Sequence, residues 1–202
     1  MRERMVVLIS GSGSNLQALV AASQSGALPG FVAGVVADRP CEGLEWAASM
    51  NIPYLLVEPG SYPTREEWSL ELRNRVYEVQ TDLVVSAGFM RILAPVFVDA
   101  FYGRLINLHP SLLPAFPGAH AVRDALEAGV RVTGSTVHLI DHLVDHGPIL
   151  LQEPVYVDPA DTEASLHERI KAVEHRLLPE ACRLVLESRV RLNKDRVEIR
   201  YT

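Results

Sequence analysis

The chain has 202 residues, 48% apolar and 22% charged, an ordinary balance for a globular protein that excludes a disordered chain. A net charge of −6 argues against nonspecific nucleic-acid binding, and no apolar run reaches the roughly 18 residues of a membrane span. The N-terminal MRERMVVLIS is too short in its apolar part for a signal peptide, and Cys41 and Cys182 form no Cys-x-x-Cys, so a cytoplasmic protein without disulfides or zinc is expected.

Residues 5–10 are a continuous apolar run, as expected of a strand buried on both faces. A turn over 11–14 leads into helical spacing over 15–25, a strand over 31–37, a helix over 43–50 and a strand over 54–57. A long helix is predicted over 64–80, opened by Thr64 and Glu67 in the spacing of a capping box. Buried strands follow over 83–87 and 104–108, on either side of a short segment over 95–101. This βαβαβ order favours a parallel sheet covered by helices on both faces.

After residue 110 the pattern changes. A loop with three prolines occupies 110–118, and a short helix is predicted over 121–128. Strands over 131–140 and 149–157 alternate apolar and polar residues more, which suggests an antiparallel extension of the sheet. An amphipathic helix over 162–187 takes Asp161 or Thr162 as its N-cap, with a kink expected at Pro179. The tail over 189–202 is read as a hairpin around Asn193-Lys194-Asp195. One doubly wound α/β domain over 1–202 is expected, mostly parallel with an antiparallel C-terminal extension.

In such sheets ligands sit at the carboxyl ends of the strands. Three stretches fall there. In Ser10-Gly11-Ser12-Gly13-Ser14-Asn15, glycines allow backbone approach and a helix N-terminus offers unpaired N–H groups, which suits a phosphate monoester. A plain tight turn is the bland reading. A dinucleotide fingerprint is the other, since Gly11-x-Gly13 and an acid, Asp38, at the end of the second strand both match. Leu16 stands where the third glycine belongs, which disfavours a nicotinamide cofactor, and no Gly-Lys-Ser/Thr of a P-loop follows. The second stretch, Gly88-Phe89-Met90-Arg91-Ile92-Leu93, is either a core edge or a wall for a flat heteroaromatic ring. The third, Asn107-Leu108-His109-Pro110, places an amide and an imidazole on one strand face, as an oxyanion stabiliser and proton carrier or as satisfied structural groups. His138, His142 and His146 recur every four residues, but Gly147-Pro148 argues against the helix a zinc site would need. Asp145 is better read as an acid beside His109.

With these stretches in hand, the chain resembles the phosphoribosylglycinamide formyltransferases, folate-dependent enzymes of purine synthesis. The likeness runs from Met5 to about Leu184 through the three stretches, the third continuing as Ser111-Leu112-Leu113-Pro114, and through Pro117-Gly118-Ala119-His120, residues 134–138, Asp145-His146-Gly147-Pro148 and Glu174-His175. Two relatives share the Asn-x-His core. Methionyl-tRNA formyltransferases carry an added C-terminal domain and typically Arg-Gly-Ala-Ala-Pro after the Leu-Pro, where Leu113-Pro114 here leads to Phe116-Pro117-Gly118-Ala119-His120. Formyltetrahydrofolate deformylases carry an N-terminal domain, so both relatives are disfavoured.

The resemblance implies that Gly13, Ser14 and Asn15 hold the phosphate of the ribonucleotide, with Lys171 and Glu174 also on that substrate. It implies that 10-formyltetrahydrofolate, as co-substrate, contacts Arg65, Met90, Arg91, Ile92 and Leu93, and the loop Asp141, His142, Leu143 and Val144. Asn107, His109 and Asp145 match the family's catalytic trio, with no metal. Residues 1–110 would form a phosphate-binding half and 111–202 a folate-side half with the long C-terminal helix. Small-molecule substrates and a monomer or homodimer are expected. The family often has Asn at the position of Ser12 and Gly at that of His146. On this reading the glycinamide amine attacks the formyl carbon, and Asn107 with a protonated His109 stabilises the oxyanion. Asp145 would raise the His109 pKa. Whether His109 or a bound water carries the proton to the folate nitrogen is left open.

Overall fold

The apolar runs become seven strands of one sheet in the computed structural model, which describes residues 2–193 and 196–200. They are β1 (Glu3–Ile9), β2 (Gly30–Ala37), β3 (Tyr54–Leu56), β4 (Leu83–Ser86), β5 (Leu105–His109), β6 (Val132–Leu139) and β7 (Ile149–Tyr156). The helices are α1 (Ser14–Gln24), α2 (Glu42–Ser49), α3 (Arg65–Glu78), the single turn α4 (Pro95–Val98), α5 (Ala121–Glu127) and α6 (Glu163–Leu186). A separate hairpin pairs β8 (Val190–Asn193) with β9 (Arg196–Ile199); Lys194 and Asp195, at the predicted turn, lie outside the described residues.

Strand order is β3-β2-β1-β4-β5-β6-β7. The first five strands pair in parallel, and β6 and β7 add antiparallel, as the sequence grammar predicts. The chain winds outward from β1 through β2 and β3, then returns to lay β4 on the other side of β1. Order therefore reverses between β1 and β4, and their carboxyl ends open the crevice where such sheets bind ligands.

Alternation along β1 sorts the two faces. Met5, Val7 and Ile9 join a core with residues of α1, α2, α5 and α6, such as Leu16, Leu44, Val122 and Ile170. Val6 and Leu8 point the other way, into a core with Trp68, Leu72 and Val76 of α3 and Phe97 of α4. Trp68 is fully buried and its indole N–H donates to Val57 O at 2.9 Å, which ties α3 to the end of β3.

The last two sheet strands differ from the reading that both alternate. β6 is buried from Thr133 to Leu139 because it lies between two strands, whereas β7, at the edge, does alternate. Thr162 is the N-cap of α6 in a full capping box with Ser165, and the helix continues through Pro179 to Leu186. At α3 only half of the predicted box forms. Thr64 accepts from the Glu67 N–H at 3.1 Å, but the Glu67 carboxylate takes the Thr64 hydroxyl and not its N–H.

The start of α2 crosses the β1–α1 turn at close range. Gly43 N–H donates to Gly11 O at 3.1 Å, and a Cβ on Gly43 would stand 2.6 Å from Ile9 Cδ1 and 2.9 Å from Gly11 O. Gly43→Ala is expected to lower the unfolding free energy by about 1–3 kcal/mol, read from the urea midpoint. Gly11→Ala faces open space and should stay within about 0.5 kcal/mol of the parent.

Candidate active site

Strand register builds the centre of the site. Ser86 of β4 pairs with Asn107 of β5, and Asn107 with His138 of β6, so three polar side chains form one row on the α3 face. Ser86 Oγ donates to Asn107 Oδ1 at 2.8 Å. The His138 ring lies with Nδ1 2.8 Å from Leu139 O, an acceptor, so Nδ1 carries the proton and Nε2 accepts from Asn107 Nδ2 at 3.2 Å. The Asn107 amide is thereby fixed in orientation. Its second N–H faces Asp145 Oδ1 at a loose 3.4 Å.

Asp145 arrives from the loop after β6 with φ 52°, a left-handed conformation that Asp tolerates better than most residues. Its Oδ2 accepts the Gly118 N–H at 2.8 Å and stands 3.4 Å from His109 Nδ1. Burial works to raise this carboxyl, but the polar groups around it, with the Gly118 N–H donating directly, outweigh burial and hold it below the usual carboxylate range. Asp145 is therefore ionised at neutral pH.

The expectation of a raised His109 pKa is corrected here. His109 is 4% exposed, and burial pushes its pKa down by more than the Phe116 carbonyl and the Asp145 charge push it up. At rest the ring is neutral. Its Nε2 lies 2.8 Å from Phe116 O, so Nε2 carries the proton and the Nδ1 lone pair faces the Asp145 carboxylate. A lone pair against a carboxylate is a place that gains by receiving a proton.

A cavity of about 480 Å³ opens beside this cluster, well within the range of small-molecule sites. Asn107, His109 and Asp145 line it, together with Met90, Arg91, Ile92 and Leu93 from one side and Asp141, His142, Leu143 and Val144 from the other. Arg65 does not line it. It is the first residue of α3, half its side chain is exposed, and it pairs with Glu66 at 3.3 Å. His146 lies 2.9 Å from Asp141 through Nδ1 and so ties the two ends of the loop, while His142 reaches Asp99 at 3.0 Å. The three histidines of the sequence repeat thus serve different partners, and no cluster of His, Cys, Asp or Glu suited to a metal occurs among the described residues.

On the other face, Gly13 is the left-handed N-cap of α1 (φ 75°, ψ 23°). The first amide bond into the helix is Gln17 N–H to Gly13 O, which leaves the N–H groups of Ser14, Asn15 and Leu16 without intrahelical acceptors. The side chain of Asn15 is not free for an anion, since its Nδ2 donates to Glu174 Oε2 at 2.9 Å. Burial pushes the Glu174 carboxyl up, partly offset by that bond. Asn15 Oδ1 is buried with no partner among the described residues. Lys171, one turn before Glu174, pairs with Glu168 at 2.7 Å.

Residues 3–182 match the family described as Formyl transferase. The chain belongs to the formyl transferase family. It is 51% identical over 175 residues to the phosphoribosylglycinamide formyltransferase of Mycobacterium tuberculosis, covering 87% of this chain and 81% of that one. A glycinamide ribonucleotide transformylase of Symbiobacterium toebii superposes with a TM-score of 0.96 at 46% identity, covering 98% of this chain and 93% of the other. A formyltetrahydrofolate deformylase of Pseudomonas syringae pv. tomato has a TM-score of 0.91 at 28% identity, covering 98% of this chain and 66% of that one.

As a formyl transferase, the chain has more in its centre than its sequence marked out. Ser86, His138 and the Gly118 N–H orient the trio, and only strand register reveals the first two. Titration of the His109 ring by NMR should give a midpoint below the 6.5 of an exposed imidazole, and Asp145→Asn should lower it further. A midpoint above 6.5 would contradict the neutral resting state.

Proposed function

We propose that this formyl transferase moves the formyl group of 10-formyltetrahydrofolate to the amine of 5'-phosphoribosylglycinamide, giving the formylated ribonucleotide and tetrahydrofolate in purine biosynthesis. The observation that carries the reading is the meeting of Asn107, His109 and Asp145 at the wall of a ring-sized cavity in a chain of this family. The pterin occupies that cavity against the backbone of residues 90–93. The phosphate sits on the free N–H groups at the start of α1, where a helix N-terminus favours an anion. Glu174, held by Asn15, accepts from the sugar, and Lys171 supplies a cation nearby.

The chemistry follows from the charges at rest. The neutral amine attacks the formyl carbon, a C–N bond forms, and the carbonyl oxygen becomes an oxyanion. The Asn107 N–H that only loosely faces Asp145 donates to that oxygen, so a 3.4 Å contact is exchanged for a charge-assisted bond. The amine proton passes to His109, whose imidazolium is then flanked by Phe116 O and the Asp145 carboxylate. Collapse breaks the bond to the folate nitrogen, which receives the proton. The reading needs no metal and no nicotinamide nucleotide.

We further propose that residues 1–202 act as one domain, in the cytoplasm, on small molecules. Monomeric and homodimeric forms both suit this scheme. No helix among the described residues is long and apolar enough to cross a membrane. Residues on both sides of position 110 line the cavity, and Asn15 with Glu174 joins both sides at the ribonucleotide end.

Incubation with both substrates should release tetrahydrofolate, and omission of the ribonucleotide should stop it. Formate released from the folate alone would favour a deformylase instead. Asp145→Asn should cut kcat roughly 10²–10⁴-fold with little change in ribonucleotide affinity, because the imidazolium formed in the reaction loses its counter-charge. Dialysis against a strong chelator should leave turnover intact; loss of activity that zinc restores would overturn the metal-free scheme.

A further inference from the structure

Asp38 directly follows β2 with its side chain wholly enclosed, and the function described so far gives it nothing to do. Its place suits a ribose-binding acid, but its oxygens are already taken. Arg39 reaches it at 3.0 Å and Arg91, from the loop after β4, at 2.6 Å. The Ser10 side chain lies beside it. Burial works to raise the Asp38 carboxyl, and these three partners together bring it below the usual range. A buried charge costs several kcal/mol unless it is well paired, so this carboxylate persists only with its partners in place.

One of those partners, Arg91, belongs to the folate-side wall. Ser10 Oγ accepts the Met90 N–H at 2.8 Å, and Ser10 N–H donates to Gly88 O at 3.2 Å. Further along, Ala94 N–H donates to Ser69 Oγ at 3.0 Å. Phe89 stacks on Trp68 and Leu93 packs on the same core, but Met90 and Ile92 between them are 63% and 58% exposed. Between those apolar anchors polar tethers decide where the backbone lies, and the one from Arg91 ends on Asp38.

We propose that Asp38 is a positioning residue for the folate co-substrate, holding the backbone of residues 90–92 in its binding arrangement through Arg91. The proposal rests on the reading of the cavity as the folate site. It accounts for a full charge beneath the exposed side chains of Met90 and Ile92. Arg39, next to Asp38 in the chain, balances the carboxylate without touching the wall. The tether acts on one substrate, since the free N–H groups of α1 lie beyond Ser10 on the other face of the sheet.

The test is steady-state kinetics of Asp38→Asn with each substrate varied in turn. Asn keeps the size and one acceptor oxygen but loses the charge that grips Arg91. The KM for 10-formyltetrahydrofolate should rise about tenfold, while kcat and the ribonucleotide KM stay within about twofold. Arg91→Gln should raise the same KM, and the double variant should be no worse than the more affected single one, because both cut one link. Arg91→Gln, at a residue whose head group is partly exposed, carries the test should Asp38→Asn fail to fold; it should raise the folate KM severalfold and leave the ribonucleotide KM alone. Multiplying effects in the double variant, an unchanged folate KM, or both KM values rising together with a falling melting temperature would overturn the proposal. Failure of the parent to use 10-formyltetrahydrofolate would instead overturn the functional reading beneath it.

Discussion

The register of β4, β5 and β6 is the constraint on which the rest of the site depends. It sets Ser86, Asn107 and His138 in one row, so that each side chain's hydrogen bond fixes the next. Side chains alternate with period two, and a slip of one residue would turn Asn107 and His109 into the opposite core. Burial prevents such a slip. Ile106 and Leu108 are packed against the α6 side, and Leu105 against the α3 side. The apolar residues of β5 thus decide where its two polar ones point.

Around that row the site balances burial against charge. His109 and Asp145 lie 3.4 Å apart, and simple attraction would make the pair an imidazolium and a carboxylate. The two members respond differently to the same burial. Asp145 has the Gly118 N–H and the Asn107 amide to support its charge, whereas a charged His109 would have only the carboxylate and one carbonyl. The carboxylate stays ionised and the imidazole stays neutral. A proton entering this arrangement finds its acceptor already oriented and its counter-charge already paired, as general base catalysis requires.

The parallel strands were legible because burial on both faces writes itself as unbroken apolar runs, as in residues 5–10 and 83–87. β6 was read as half-exposed because its small polar residues Thr133, Ser135 and Thr136 look solvent-facing, yet all three are buried. The trio itself was visible from the Asn-x-His spacing and the family likeness, as were the segments that line the cavity. Cross-strand neighbours were not, since nothing in the sequence places His138 opposite Asn107. Asp38 was noticed for the wrong ligand. Its true partner Arg91 lies 53 residues away, beyond the reach of any local pattern. The sign of the His109 shift also escaped, because it depends on burial that a single sequence does not show.

The central claim is that a neutral His109, set against Asp145, takes the proton of the attacking amine. The acid limb of kcat against pH, at saturating levels of both substrates, tests this most directly when the parent and Asp145→Asn are compared. Activity needs the unprotonated ring, so the parent should gain activity as pH rises through a midpoint below 6.5 and level off above it. Removing the carboxylate takes away an upward pull on the ring, so in Asp145→Asn the limb should move to lower pH while the plateau falls. A limb that stays at the same pH in both proteins, or activity that declines from pH 6 upward, would contradict the account.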